Sequence, residues 1–149
     1  MSLSNEQLGL ILQASRDFAM KQLSEAGGFI PFGTRAMKDG EIDFMRVADK
    51  EITDDKLEEI FGRTQMMLAD QAQQGDILAA ATVANVQLKE GDAGKEFEKA
   101  IQVHVEAPQF SRVILVPYRY PDMENVKTVR DIAIGDMIPF DAPSVVFAS

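Results

Sequence analysis

The chain contains no cysteine and a single histidine, His104, among its 149 residues. Without cysteine there is no disulfide staple, no thiolate nucleophile and no zinc site built on sulfur, so packing alone must hold the fold. A transition-metal site would need a carboxylate-rich shell around His104, and the spacing supplies none. No stretch approaches the roughly 18 apolar residues that a membrane span requires, and the first residues lack a basic region followed by an apolar core. That pattern points to the cytoplasm. There is also no glycine-rich phosphate loop ending in Lys-Ser or Lys-Thr, no dinucleotide fingerprint, no paired-histidine metal helix and no nucleophile elbow. Most familiar enzyme classes lose their warrant, and no cofactor is expected.

Positive charge is scarce as well. Fifteen Lys and Arg face 24 Asp and Glu, a net charge of −9. Binding to nucleic acid draws its affinity from cations displacing counterions, so that partner is not expected. The acidity is uneven: between Asp39 and Glu59 nine acidic residues stand against Arg46, Lys50 and Lys56. Asp39, Glu41 and Asp43 open this stretch and mark it as a candidate surface for a basic protein partner. The same three alternate along a turn and strand, but they lack the glycine and the distal glutamate of a calcium loop. No metal site is assigned.

What remains is an ordinary globular composition, 46% hydrophobic and 26% charged, in a chain of the size of one domain, 1–149. Ser4 with Gln7 makes a capping box and Leu3 with Leu8 a hydrophobic staple. Leu8, Ile11, Leu12, Ser15, Phe18, Ala19 and Leu23 then recur at three and four, one apolar stripe of a helix that Gly27-Gly28 ends. Phe29 to Met37 and Glu41 to Ala48 read as a hairpin around Lys38-Asp39-Gly40. Thr53, with Asp54 and Asp55, caps a second helix whose stripe is Leu57, Ile60, Phe61, Thr64, Met67, Leu68 and Ala72, with Gly75 as its stop. A long strand rich in small residues follows from Ile77 to Lys89, with a loop at 90–94. Ile101, Val103 and Val105 alternate with Gln102, His104 and Glu106 in a strand that turns at Pro108-Gln109-Phe110 and returns over Arg112 to Tyr120. Pro117 puts that return at an edge, at a bulge or at its own end. Val126 to Ile134 reads as a further strand, and Gly135, Pro139 and Pro143 break the chain before an extended piece at Val145 to Phe147.

The order is α-β-β-α-β-β-β with a possible last β. It predicts an α+β domain: an antiparallel sheet of about five to six strands with two amphipathic helices on one face. The opening order is similar to profilin-like and roadblock-like layouts, a likeness of topology alone.

Three sets of residues carry the functional expectations. His104 and Glu106 share a strand face, which suits a general base; the simpler reading is a structural pair, with Glu106 opposite Arg112 if the hairpin loop has three residues but not if it has two or four. Phe32 and Arg35 in one unusual segment, and Tyr118 and Arg119 in another, would build a pocket for an anionic ligand if the fold brought them together. Ile114, Val116 and Tyr118 are candidates for the sheet face that two helices would leave uncovered, and an apolar uncovered face favours a second copy of the chain. The leading expectation is therefore a non-enzymatic interaction module that forms a homo-oligomer, with the anion pocket as the alternative. Phe29-Ile30-Pro31-Phe32-Gly33 after a first helix, the Asp39-Gly40 turn and a late Pro117-Tyr118-Arg119 on a strand resemble a group of small bacterial α+β proteins to which no activity is assigned. The resemblance implies none here.

Overall fold

The computed structural model describes residues 5–47, 56–88 and 97–147. In chain order these form α1 (Asn5–Ala26), β1 (Phe32–Met37), β2 (Ile42–Met45), α2 (Leu57–Gln73), β3 (Ile77–Gln87), β4 (Lys99–Ala107), β5 (Phe110–Arg119), β6 (Ala133–Ile134) and β7 (Ile138–Asp141). The class is α+β, as the sequence implies, with one antiparallel sheet ordered β2-β1-β3-β4-β5-β6 and β7 also pairing with β5. The capping residues proposed for both helices, and the loop at 90–94, lie outside the described residues. Among the described residues no helix is long and apolar enough to cross a membrane.

The two helices do not share a face. Thr34 faces α1: its hydroxyl lies 2.8 Å from Ser15 Oγ. Ser15 gives its own proton to Ile11 O, so Thr34 is the donor. Its neighbour Gly33 faces α2, where a Cβ would lie 3.2 Å from Leu68 and 3.3 Å from Thr64. Adjacent strand residues point to opposite faces, so α1 covers one side and α2 the other. The reason is legible in β3. Ala79, Ala81 and Val83 pack into the α1-side core, while Ala80 joins Leu68, Ile77 and Val146 on the α2 side. A strand apolar on both faces must be covered on both.

The later strands also depart from the expected pattern. Residues 126–134 form no continuous strand; short 3-10 turns at Met123–Asn125 and Val129–Asp131 lead to the two-residue β6. Asp131 holds the second of these in a capping box with Thr128, and the backbone N–H groups of Lys127 and Thr128 lower its carboxyl pKa. Pro139, expected to break the chain, lies inside β7. Val145–Phe147 is not a strand. The prolines are tolerated because of where their missing donors point. Val113 and Leu115 pair with β7, whereas Tyr118 and Arg119 pair with β6. Pro117 falls in the gap, and its carbonyl accepts Gly135 N–H at 2.9 Å, so its nitrogen also faces away from β4 and no β4–β5 bond is lost.

Candidate functional site

The β4–β5 hairpin has a two-residue loop, with Ala107 opposite Phe110. Pro108 presets the turn and Gln109 adopts a left-handed φ of 65°. This register sets Glu106 opposite Ser111 and Arg112 opposite Val105. The Glu106–Arg112 pair therefore does not form; Arg112 reaches Asp141 instead, at 3.4 Å. Glu106, His104 and Ser111 all lie on the α2 face, where buried Glu106 and His104 and half-buried Ser111 form a polar cluster.

Glu106 is fully buried. Its Oε1 accepts the backbone N–H of Val145 at 2.7 Å and of Val146 at 3.0 Å, with Phe147 N–H at 3.5 Å, and its Oε2 accepts Val146 N–H at 3.0 Å. A buried carboxylate is tolerable only with such donors, and a loop's buried N–H groups need an acceptor in turn. Three successive amides turned toward one anion form a backbone nest. The glutamate thereby pins residues 145–147 across the sheet, and Val146 fills the space beside Leu68, Ile77 and Ala80.

His104 is buried beside this latch. Its Nε2 lies 2.8 Å from Ser111 Oγ and 3.8 Å from Glu106 Oε2, and its Nδ1 lies 3.3 Å from Gln65 Nε2 on α2. Ser111 Oγ donates to Pro143 O at 3.2 Å. One assignment satisfies every group: Gln65 donates to Nδ1, Nε2–H donates to Ser111, and Ser111 donates to Pro143. Burial holds the imidazole pKa below its ordinary value, outweighing the Glu106 carboxylate, which raises it. The residue types are those of a Ser-His-acid triad, but the wiring is not. A nucleophilic serine gives its proton to the imidazole, and the acid holds the other ring nitrogen. Here the serine accepts a hydrogen bond from the imidazole, and serine and acid both lie on the Nε2 side.

Phe32, Arg35, Tyr118 and Arg119 do not come together. Phe32 is fully buried on the α1 side, in edge contact with Phe18 at 4.8 Å and Phe29 at 5.7 Å. Tyr118 is also buried there and donates to Asn85 Oδ1 at 2.6 Å; burial pushes its phenol up to about 12. Arg35 grips Asp43 with two bonds, 2.7 and 3.0 Å, and donates to Gln71 at 3.2 Å. Arg119 is exposed, with its guanidinium 6.0 Å from the Phe97 ring. Through Ala80 and Glu106, Arg35 stands level with Ser111, and Arg119 is eight residues further along β5, roughly 26 Å at the strand rise.

The proposed partner residues are also redistributed. Val116 is fully buried and Ile114 packs against the same α1-side core, so neither lies on an uncovered face. Asp39 accepts Glu41 N–H at 2.9 Å within its turn, and Asp43 is committed to Arg35. Glu41 is exposed. No group of three His, Asp or Glu among the described residues is placed to hold a metal ion.

Sequence reasoning missed Gln65, Ser111 and the role of Glu106. The available signal was a polar run, Gln102, His104 and Glu106, on a strand whose alternate residues are apolar and whose neighbours on both sides are strands. Polar groups there face a second layer, and they need partners from it. Comparison with models of known protein families, with curated proteins and with solved structures finds no match for this chain.

Proposed function

We propose that this protein is a non-enzymatic interaction module that self-associates through the apolar border around β6 and β7. The observation that carries the reading is the distribution of exposed large apolar side chains. Of the nine such residues among the described residues, five, namely Val129, Ile134, Met137, Phe140 and Val145, fall between positions 129 and 145. Ile134, opposite Tyr118, lies with Val129 on the α1 side, and Phe140, opposite Val113, lies with Val145 on the α2 side, so exposed apolar residues flank this border on both faces of the sheet, as interaction surfaces do. The reading moves the expected interface from Ile114 and Val116 to the strands beyond them.

Contact through side chains suits this border better than strand pairing. In β5 the residues that address β7 are Val113 and Leu115, opposite Phe140 and Ile138, so Pro139 turns its nitrogen outward. A proline there blunts the edge against ladder formation. The hydrogen-bond polarity at Ser111 supports the non-enzymatic part of the reading. Sedimentation mass across a range of protein concentration tests it. A dimer that becomes monomeric in the Ile134→Glu/Phe140→Glu variant is expected; a wild-type mass that stays monomeric at all concentrations would refute it.

A further inference from the structure

β3 is longer than the strand it pairs with. β1 begins at Phe32, opposite Val83, whereas β3 keeps its pairing with β4 as far as Gln87 opposite Lys99. Among the described residues, Ala84–Gln87 therefore has a strand on one side only. One bond fixes which way its backbone faces: Leu88 N–H donates to Glu98 O, at 2.8 Å, on the β4 side. Backbone polar groups alternate sides along an antiparallel strand. Val86 and Ala84 thus address β4 with Leu88, while Asn85 and Gln87 aim their N–H and C=O groups the other way. If β1 continued in register, Ile30 and Gly28 would meet them. Instead Pro31 precedes the strand, and a cleft of about 380 Å³ opens between Phe29 and Pro31 on one side and the first turns of α2 on the other.

We propose that this cleft accepts an extended peptide segment of a partner protein, which adds to β3 as a strand in the place that β1 leaves vacant. Two N–H and two C=O groups in alternation along one edge are the complement of another strand, and strand addition is an established route to recognition. The walls prescribe the side chains. Phe29, which packs against Phe32 of the α1-side core, and Leu57 and Phe61 of α2 offer apolar contact to a peptide's alternate residues. Glu58 lines the same cleft and belongs to the acidic stretch 39–59, so Lys or Arg flanking the apolar residues complements the charge. Asn85 Oδ1 is already taken by Tyr118, which leaves its amide N–H₂ as a donor. This site is separate from the self-association border, which lies beyond β5.

Amide hydrogen exchange on the full chain tests the proposal. In the free protein, Asn85 and Gln87 should exchange much faster than Ala84 and Val86. The probe is the capped pentapeptide Lys-Val-Phe-Val-Lys, compared with its counterpart carrying Glu at both ends. The lysine peptide is expected to slow exchange at Asn85 and Gln87, and the glutamate peptide to bind about tenfold more weakly. N-methylation of both valines and N-methylation of the phenylalanine should differ, because only one set of amides faces β3. The Gln87→Pro variant deletes an N–H that points away from β4, so the ladder stays intact, and binding should fall about five- to tenfold. Slow exchange at Asn85 and Gln87 in the free protein at every concentration overturns the proposal. So does the absence of protection by the lysine peptide, or equal binding of both N-methylated forms. Protection that grows with protein concentration alone would assign the edge to a second copy and overturn the foreign partner. The β6–β7 variant should bind peptide normally, so either proposal can fail without the other.

Discussion

Replacing Glu106 with alanine should detach the segment at 145–147 and lower stability by about 4.5 kcal/mol. The magnitude follows from what the carboxylate holds. Its two short bonds, to Val145 and Val146, are hydrogen bonds to a charged group, each contributing about 1.5–3 kcal/mol net. Val146 is 4% exposed, and returning a valine to water adds about 1.5 kcal/mol or more. Detachment lets the freed amides reach water, so the unsatisfied-donor penalty is avoided and the loss stays near the lower end of the summed range. With a typical urea dependence of about 2 kcal/mol per molar, the unfolding midpoint should fall by about 2 M. Glu106→Gln keeps one acceptor oxygen and should lose about half as much. Urea titrations followed by circular dichroism give these values directly. A double-mutant cycle locates the cause: in a chain shortened to end at Ser144, Glu106→Ala should be nearly neutral or stabilising, since a buried carboxylate without donors is a liability. A loss below about 1 kcal/mol in the full chain, or an equal loss in both chains, would refute the latch.

Three further outcomes are expected. His104 has a lowered pKa in the fold, so the unfolded chain takes up the proton first as pH falls; the stabilising contribution is present above the ordinary value of 6.5 and declines below it. Urea midpoints should therefore drop between about pH 7.5 and 5.5, and His104→Gln should flatten that slope. Gly33→Ala places a Cβ 2.9 Å from Met45 Cγ as well as against Leu68 and Thr64, and should lower stability by about 1–3 kcal/mol by overpacking the α2 contact. Gln109→Gly should raise it by up to about 1 kcal/mol, because glycine adopts the left-handed turn conformation without a Cβ penalty; an unchanged or lower melting temperature would count against strain at that turn.

Local signals carried the elements whose chemistry is short-range. The recurrence of Ile11, Ser15, Ala19 and Leu23 marks α1, Ile60, Thr64 and Leu68 mark α2, and glycines with positive φ end both at Gly27 and Gly75. Alternation in Ile101, Val103 and Val105 gives β4. The sequence by itself therefore determined the class, the antiparallel pairing of the main hairpin and the absence of thiol chemistry. It could not fix the hairpin register, because a two- and a three-residue loop read alike around Pro108, and a one-residue slip changes the partner of Glu106 from Ser111 to Arg112. Nor could it decide that the helices lie on opposite faces, since helical periodicity says which side of a helix is apolar but not which side of the sheet receives it. The small residues of β3 were the only hint. The latch, and the edge of β3 left unpaired among the described residues, rest on contacts between positions 39 to 41 residues apart and on where β1 stops beside β3. Only tertiary structure specifies such distances, because they arise from long-range packing and not from neighbouring residues.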